Sequence, residues 1–286
     1  MVLIRIDRRR KQAACFILQN NEDLICIING DMLHSQAAIP SRVCLVIPCY
    51  NEADRLDIHA FRDYFASHVR ARFVFVDDGS RDNTAAVLKD LCEGYEDRAA
   101  HLSYQPNVGK AEAVRRGILF ALNEYDLDAI GFWDADLATP LHAIPGFINV
   151  MTRLQNIDMI VGSRVQLLGR HIHRSATRHY LGRVFATVAS ITLRLPIYDT
   201  QCGAKLFRIN DEMKQVFSEP FLSKWVFDVE ILARYSKLCG HDPHHMQDRI
   251  YEFTLEHWRD VAGSKVRPRD FFLAMLDLAR IRVRYF

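Results

Sequence analysis

The sequence predicts an α/β protein organised on a mostly parallel sheet. Short apolar runs alternate with helix-length segments at regular spacing. The runs are apolar along their length rather than alternating, as strands covered on both faces are. Several of them end in polar, Gly-containing clusters, and such clusters at strand C-termini converge on one crevice.

The elements follow in order. Val43-Cys44-Leu45-Val46-Ile47 reads as a buried strand closed by Pro48, and Tyr50-Asn51-Glu52 follow. A helix is expected from near Asp54 toward Val69. Phe61, Tyr64 and Phe65 lie on it at helical spacing, which marks them as core. Phe73–Val76 is the next strand and ends in Asp77-Asp78-Gly79-Ser80. Asp82, Asn83 and Thr84 then start a helix near Ala85–Glu93. His101–Tyr104 is a third strand, leading through Asn107-Val108-Gly109-Lys110 into a helix that reaches about Glu124.

The central stretch is Ile130-Gly131-Phe132-Trp133-Asp134-Ala135-Asp136-Leu137. A buried strand stops there in two carboxylates spaced i, i+2. Alternate residues of an extended chain share a side, so both acids can face one ligand. Paired carboxylates at a strand end suit Mg²⁺ or Mn²⁺ held against a diphosphate, with substrate oxygens completing the shell. Taken alone, the pair also fits a solvated loop carrying two acids.

Pro140 opens another helix, and Met159-Ile160-Val161 is a strand ending in Gly162-Ser163-Arg164. Arg170, Arg174, Arg178 and Arg183 crowd around a helix from about Ser175 to Leu193, as a phosphate-binding cluster or as a basic surface helix. Asp199 to Phe207 reads as a loop running into a strand, Trp225 to Glu230 as the start of a helix, and Ile250–Phe253 as a late strand. Without a Pro/Gly/Ser-rich linker, residues 41–286 form one domain.

Residues 1–40 stand apart. Cys15–Leu18 and Leu24–Ile28 read as two strands around a polar turn. This hairpin adds to a sheet edge, is disordered, or results from a start codon assigned too far upstream.

Composition narrows the function. A net charge of +2 argues against bulk nucleic-acid binding, which calls for a strongly basic face. The seven cysteines are odd in number and scattered without C-x-x-C, the pattern of free thiols in a reducing compartment. No apolar run reaches transmembrane length. Neither G-x-G-x-x-G nor G-x-x-x-x-G-K-[ST] occurs, so no dinucleotide fingerprint or P-loop is present. Cys239-Gly240-His241-Asp242-Pro243-His244-His245 has metal-ligand residue types in a spacing that matches no common zinc site.

Together, Ile47 to Glu52, Val76 to Ser80, Asn107 to Lys110, Asp134-Ala135-Asp136 and Gly162-Ser163-Arg164 resemble the family 2 glycosyltransferases with the GT-A fold. Asp199 to Phe207 and Trp225 to Glu230 further resemble the dolichyl-phosphate glucosyltransferases, with dolichyl-phosphate mannose synthases as close relatives. The resemblance runs from about Val43 to the C-terminus. Where mannose synthases usually carry Gln after Asp-Ala-Asp-Leu, this chain has Ala138, which weakens a mannose assignment.

The resemblance implies a nucleotide-diphosphate sugar as donor and a polyprenyl phosphate as acceptor, at the cytoplasmic face of a membrane. It places Pro48, Tyr50 and Glu52 on base and ribose, Asp78 on the base edge, and Lys110 near the nucleotide. Asp134 would contact ribose or metal and Asp136 would ligate the metal. Arg164, with Arg174 or Arg178, would bind phosphate. Asp199 and Asp228 are candidates for a base or for holding the sugar, against structural roles in a loop and a helix cap.

The expected reaction is metal-dependent, inverting transfer of a hexose, glucose from UDP-glucose in the first instance. Transfer to a saccharide hydroxyl is the alternative within the class and requires a base. A non-catalytic nucleotide-sugar-binding membrane adaptor is the alternative outside it, and the intact Asp134 and Asp136 argue against that. The C-terminal segment interleaves Arg267, Arg269, Arg280, Arg282 and Arg284 with Phe271, Phe272, Leu273, Met275 and Leu276. It reads either as a basic amphipathic helix on a membrane surface or as a helix docked on the core. Trp258 and the loop after it read as a lid over the acceptor.

Overall fold

The computed structural model describes residues 42–67, 71–173, 176–259 and 268–286, and the strand backbone of residues 18–20, 23–28 and 31–33. The chain divides into two compact units, Met1–Ile39 and Pro40–Phe286. In the first, β1 (Leu18–Asn20), β2 (Asp23–Ile28) and β3 (Asp31–Leu33) form an antiparallel sheet of their own. The expected strand over Cys15–Leu18 lies almost wholly outside the described residues.

The second unit runs β4 (Val43–Cys49), α1 (Ile58–Ala66), β5 (Ala71–Asp78), α2 (Thr84–Cys92), β6 (Ala99–Tyr104), α3 (Lys110–Glu124) and β7 (Ala129–Trp133). A 3₁₀ turn (Leu141–Ala143) then leads to α4 (Ile144–Arg153), β8 (Met159–Ser163), β9 (His171–His173), α5 (Ala176–Leu193), β10 (Ala204–Arg208) and α6 (Asp211–Ser218). The chain closes with α7 (Phe227–Leu238), α8 (Pro243–Arg249), β11 (Ile250–Thr254), β12 (His257–Arg259) and α9 (Pro268–Tyr285).

The central seven-stranded sheet has the order β11-β8-β10-β7-β4-β5-β6. Only β10 runs against the rest, antiparallel to both β7 and β8. An antiparallel strand presents its N-terminal loop at the rim where its parallel neighbours present their C-terminal loops. Ala204 stands opposite Trp133 in this register, so residues 199–203 emerge beside the end of β7.

Successive strand residues face opposite sides of a sheet, and both sides here are apolar. Leu45, Phe73, Phe75 and Trp133 pack under α1, α2 and α4, with Phe61, Phe65 and Phe147. Val46, Val74, Val76 and Phe132 face α3 and α7, with Val114, Ile118 and Phe227. α3 lies close to the sheet because Gly117 has no side chain; a Cβ there would stand 2.5 Å from Val46.

Several boundaries differ from expectation for local reasons. Pro48 lies inside β4, where pairing to β7 has already ended at Val46 and only β5 remains alongside, so its missing N–H costs no bond on the β7 side. α1 begins at Ile58, not Asp54, because Arg55 and Leu56 donate back to Glu52 O in a turn and Asp57 Oδ1 then caps Ala60 N at 3.0 Å. The Cys239–His245 stretch is a connector. Gly240 and His241 take positive φ after α7, and Asp242 caps α8 through His244 N. β9, β12 and α6 were not anticipated, being too short for periodicity to register.

α9 is docked on the core and amphipathic at once. Ala274, Leu278 and Ile281 are buried, and Arg282 donates to Thr192 O near the end of α5. Phe272, Leu273, Leu276 and Val283 stay exposed on the other side, with Arg280 and Arg284. Among the described residues no helix is long and apolar enough to cross a membrane.

Candidate functional site

The loops that follow β4, β5, β7 and β8 meet the loop before β10 and the start of α7 on one rim. On the β4–β5 side they are stitched together by side chains. Asn51 N donates to Ser80 Oγ at 2.9 Å, Arg81 N to Asn51 Oδ1 at 2.8 Å, and Glu52 N to Thr84 Oγ1 at 2.8 Å. Gly79 takes φ +70°, and a Cβ there would stand 2.6 Å from Asn107 N. Pro48, Tyr50 and Glu52 lie along this edge, partly exposed.

Asp78, expected on the base edge, has a structural task. Its carboxylate accepts from Val108 N at 2.9 Å, Gly109 N at 2.7 Å and Asn107 Nδ2 at 2.8 Å. It is buried, and it folds the loop that brings Lys110 to the first turn of α3. Lys110 Nζ donates to Asp134 Oδ1 at 2.5 Å. Burial opposes the Lys110 charge, but Asp134 outweighs it, helped by Asp228 and Asp136, and the pKa is raised.

Asp134 and Asp136 do come together, by a different geometry from the expected one. The strand ends at Trp133 and the chain turns, with Leu137 N donating to Asp134 O at 3.2 Å and Leu137 at φ +50°. Asp136 Oδ1 accepts from Ala138 N at 3.0 Å. A turn, not a pleat, sets the two acids near one another. Burial, then the Asp134 charge, pushes the Asp136 pKa up. Such a pair favours an added cation, because a cation relieves both the desolvation and the repulsion. Among the described residues no group of three or more His, Cys, Asp or Glu side chains is placed to hold a metal ion. Two carboxylates are a number that a hard divalent cation accepts when phosphate oxygens and water fill the rest of its shell.

Arg164 and Asp199 form a bidentate pair, Nε to Oδ2 at 2.6 Å and Nη2 to Oδ1 at 2.8 Å, and Arg164 N adds a third bond at 3.1 Å. Burial opposes the Asp199 charge, but Arg164 overrides it and lowers the pKa to about 2. The same pairing raises Arg164 against its own burial. Asp199 is thus committed to Arg164, not standing free as a base. The Arg164 guanidinium also lies 5.3 Å from the Trp258 ring centroid. Trp258 is anchored in β12, which pairs with β9, and Arg259 N reaches Ala138 O. The lid expected after it lies mostly outside the described residues, as does Arg174. Arg178 belongs to α5, and its side chain also lies outside them.

Asp228, in the first turn of α7, accepts from Lys205 Nζ at 2.5 Å. Sequence reasoning missed Lys205, which lies in an apolar strand pattern. It also missed Gly203, where a Cβ would stand 1.8 Å from Asp134 Oδ2. The available signal was a lysine inside a run otherwise fit for a buried strand, since buried charges are paired.

The rim therefore presents acids suited to a cation, with Lys110 and Arg164 suited to a diphosphate. Residues 44–212 match the family described as Glycosyl transferase family 2. A dolichyl-phosphate beta-glucosyltransferase of Trichomonas vaginalis is 31% identical over 258 residues, which cover 85% of this chain and 73% of that protein. The human dolichyl-phosphate beta-glucosyltransferase is 31% identical over 263 residues, covering 85% and 76%. Among solved structures, glucosyl-3-phosphoglycerate synthase from Mycobacterium tuberculosis, crystallised with Mn²⁺, UDP-glucose and phosphoglyceric acid, superposes with a TM-score of 0.58. It is 15% identical, the match covers 85% of this chain and 80% of that one, and the likeness is one of fold. On this match and this shared GT-A fold, the chain belongs to glycosyl transferase family 2 and is similar to the dolichyl-phosphate beta-glucosyltransferases.

Proposed function

We propose that this chain transfers glucose from UDP-glucose to a polyprenyl phosphate of the dolichyl type, with inversion at the anomeric carbon. The observation that carries the reading is the Arg164–Asp199 pair on the same rim as Asp134, Asp136 and Lys110. The relatives named for dolichyl-phosphate glucosylation support the acceptor.

In this reading Asp136 and Asp134 would hold Mg²⁺ or Mn²⁺. When bound, the ion supplies Lewis-acid stabilisation of the leaving group. Lys110 and Arg164 add fixed positive charge where negative charge develops on the β-phosphate. The acceptor phosphate oxygen forms the new bond to C1 as the bond from C1 to the β-phosphate oxygen breaks. The products are polyprenyl phosphate glucose and UDP.

No general base is required. A phosphate monoester has a second pKa of about 6 and is anionic at neutral pH. This agrees with Asp199, whose pKa of about 2 leaves it a poor proton acceptor. A saccharide hydroxyl acceptor would need such a base and is the weaker reading. Asp228 is assigned to hydroxyls of the transferred sugar.

The exposed apolar side of α9, with Arg280 and Arg284, is assigned to the surface of an anionic bilayer. The cytoplasmic face suits the cysteines, since Cys44, Cys49, Cys92, Cys202 and Cys239 are all free thiols. Purified protein incubated with a panel of nucleotide sugars and polyprenyl phosphate, with and without Mn²⁺ or Mg²⁺, tests the reading. Glucose label extracted into organic solvent, dependent on the ion, is the expected result. Label found only on soluble saccharide would overturn it.

A further inference from the structure

Lys205 carries a charge into the middle of the sheet. It sits on β10 with Phe132 of β7 and Val161 of β8 as its register partners, and it is 0% exposed. Its ammonium donates to Asp228 Oδ1 at 2.5 Å and to Cys202 O at 2.6 Å, and it stands 5.2 Å from the centroid of the Phe132 ring. A buried ammonium is costly, and an apolar side chain of similar volume in place of a buried ion pair is often as stable or more so. Fold stability is therefore a weak reason for this lysine.

The geometry at Asp228 supplies a stronger one. Lys205 occupies one carboxylate oxygen, Oδ1. Among the described residues Oδ2 has no protein partner, and it is not among the sealed polar atoms. Asp228 lies in the first turn of α7, and its lysine partner also bonds Cys202 O, next to the Gly203 on which Asp134 is seated. The second bond ties the ammonium to the 199–203 loop, which also carries the partner of Arg164 and the backbone under Asp134. Lys205 is thus fixed to the same loop as the rest of the site.

We propose that Lys205 is a positioning residue: it acts through Asp228, clamping one oxygen so that the other meets hydroxyls of the transferred hexose. This rests on the glucosyl-transfer reading above. The clamp matters for rate because a carboxylate free to rotate loses the alignment that distinguishes the transition state from the bound donor.

The test compares Lys205→Met, Asp228→Asn and the double variant. Each is assayed for transfer to polyprenyl phosphate and for slow hydrolysis of the nucleotide sugar, with thermal unfolding followed alongside. Lys205→Met is expected to lower kcat about 100-fold while KM for the nucleotide sugar stays within about twofold. Asp228→Asn should lose a similar factor, and the double variant no more than either alone, since the two act as a unit. Lys205→Met strands a buried carboxylate and should unfold at lower temperature. The double variant strands no charge and should recover stability without recovering kcat.

A folded Lys205→Met variant within threefold of wild-type kcat would overturn the proposal. So would a double variant whose loss is the product of the two single losses, or whose kcat returns along with its stability. If Lys205→Met does not fold, Asp228→Asn against the double variant decides by the same rule. Wild-type protein that hydrolyses the donor but glucosylates no polyprenyl phosphate would sink the acceptor reading, and the hydrolysis arm would still judge Lys205.

Discussion

Asp134 donates its backbone N–H to Gly203 O at 2.9 Å, and its carboxylate fills the space a side chain at 203 would need. The acid that follows β7 is thereby seated on the loop before β10. This contact joins the half of the rim that carries Lys110 to the half that carries Arg164 and Asp199.

Gly203→Ala is therefore expected to displace Asp134 while leaving the sheet intact. Activity, as kcat/KM, should fall about 100-fold or more, in line with misplacing a site group by an ångström. Steady-state kinetics with a circular dichroism control checks this. Wild-type kcat/KM would mean the loop yields without moving the acid.

Asp136→Ala should abolish metal-dependent turnover, a loss of about a thousandfold, as removal of a main electrostatic stabiliser does. The side chain sits in a turn and accepts one bond, from Ala138 N, so the melting temperature should change little. Turnover against Mn²⁺ concentration, with a thermal melt, is the measurement. A variant turning over at the wild-type rate would refute the metal assignment.

Acid stability should report the Arg164–Asp199 pair. The folded pKa of Asp199 is lowered, to about 2 from an unfolded value near 3.9. Its contribution is present above the unfolded value and is lost as pH falls from about 4 through about 2, roughly 2–3 kcal/mol in all. Denaturant unfolding of wild type and Asp199→Asn at pH 7 and pH 3 is the check. The gap between them should be wide at pH 7 and narrower at pH 3.

The exposed side of α9 should bind lipid. Leu276→Asp with Val283→Asp should reduce sedimentation with anionic vesicles at least tenfold, since each change removes apolar contact and adds like charge. Transfer to a short, water-soluble polyprenyl phosphate should be unaffected, because both side chains are exposed on α9, opposite its buried side. Equal loss in both assays would place the effect on folding instead.

By itself the sequence determined the strand–helix alternation, the buried strands and the clusters at their ends. Apolar runs such as Val43–Ile47 and turn residues such as Asp77 to Ser80 carry their information locally, in period and backbone preference. They also put Asp134, Asp136 and Lys110 at strand ends, and the structure brings Lys110 onto Asp134. What each acid does there was not legible. Asp78 folds a loop, Asp199 grips Arg164, and Asp228 is held by Lys205. The Asp78 contacts depend on β6 lying beside β5, and the other two on β10 entering the sheet antiparallel between β7 and β8, which brings residues distant in sequence within hydrogen-bond range. A pairing register is a property of the assembled sheet, and no local pattern encodes which carboxylate a buried cation will meet.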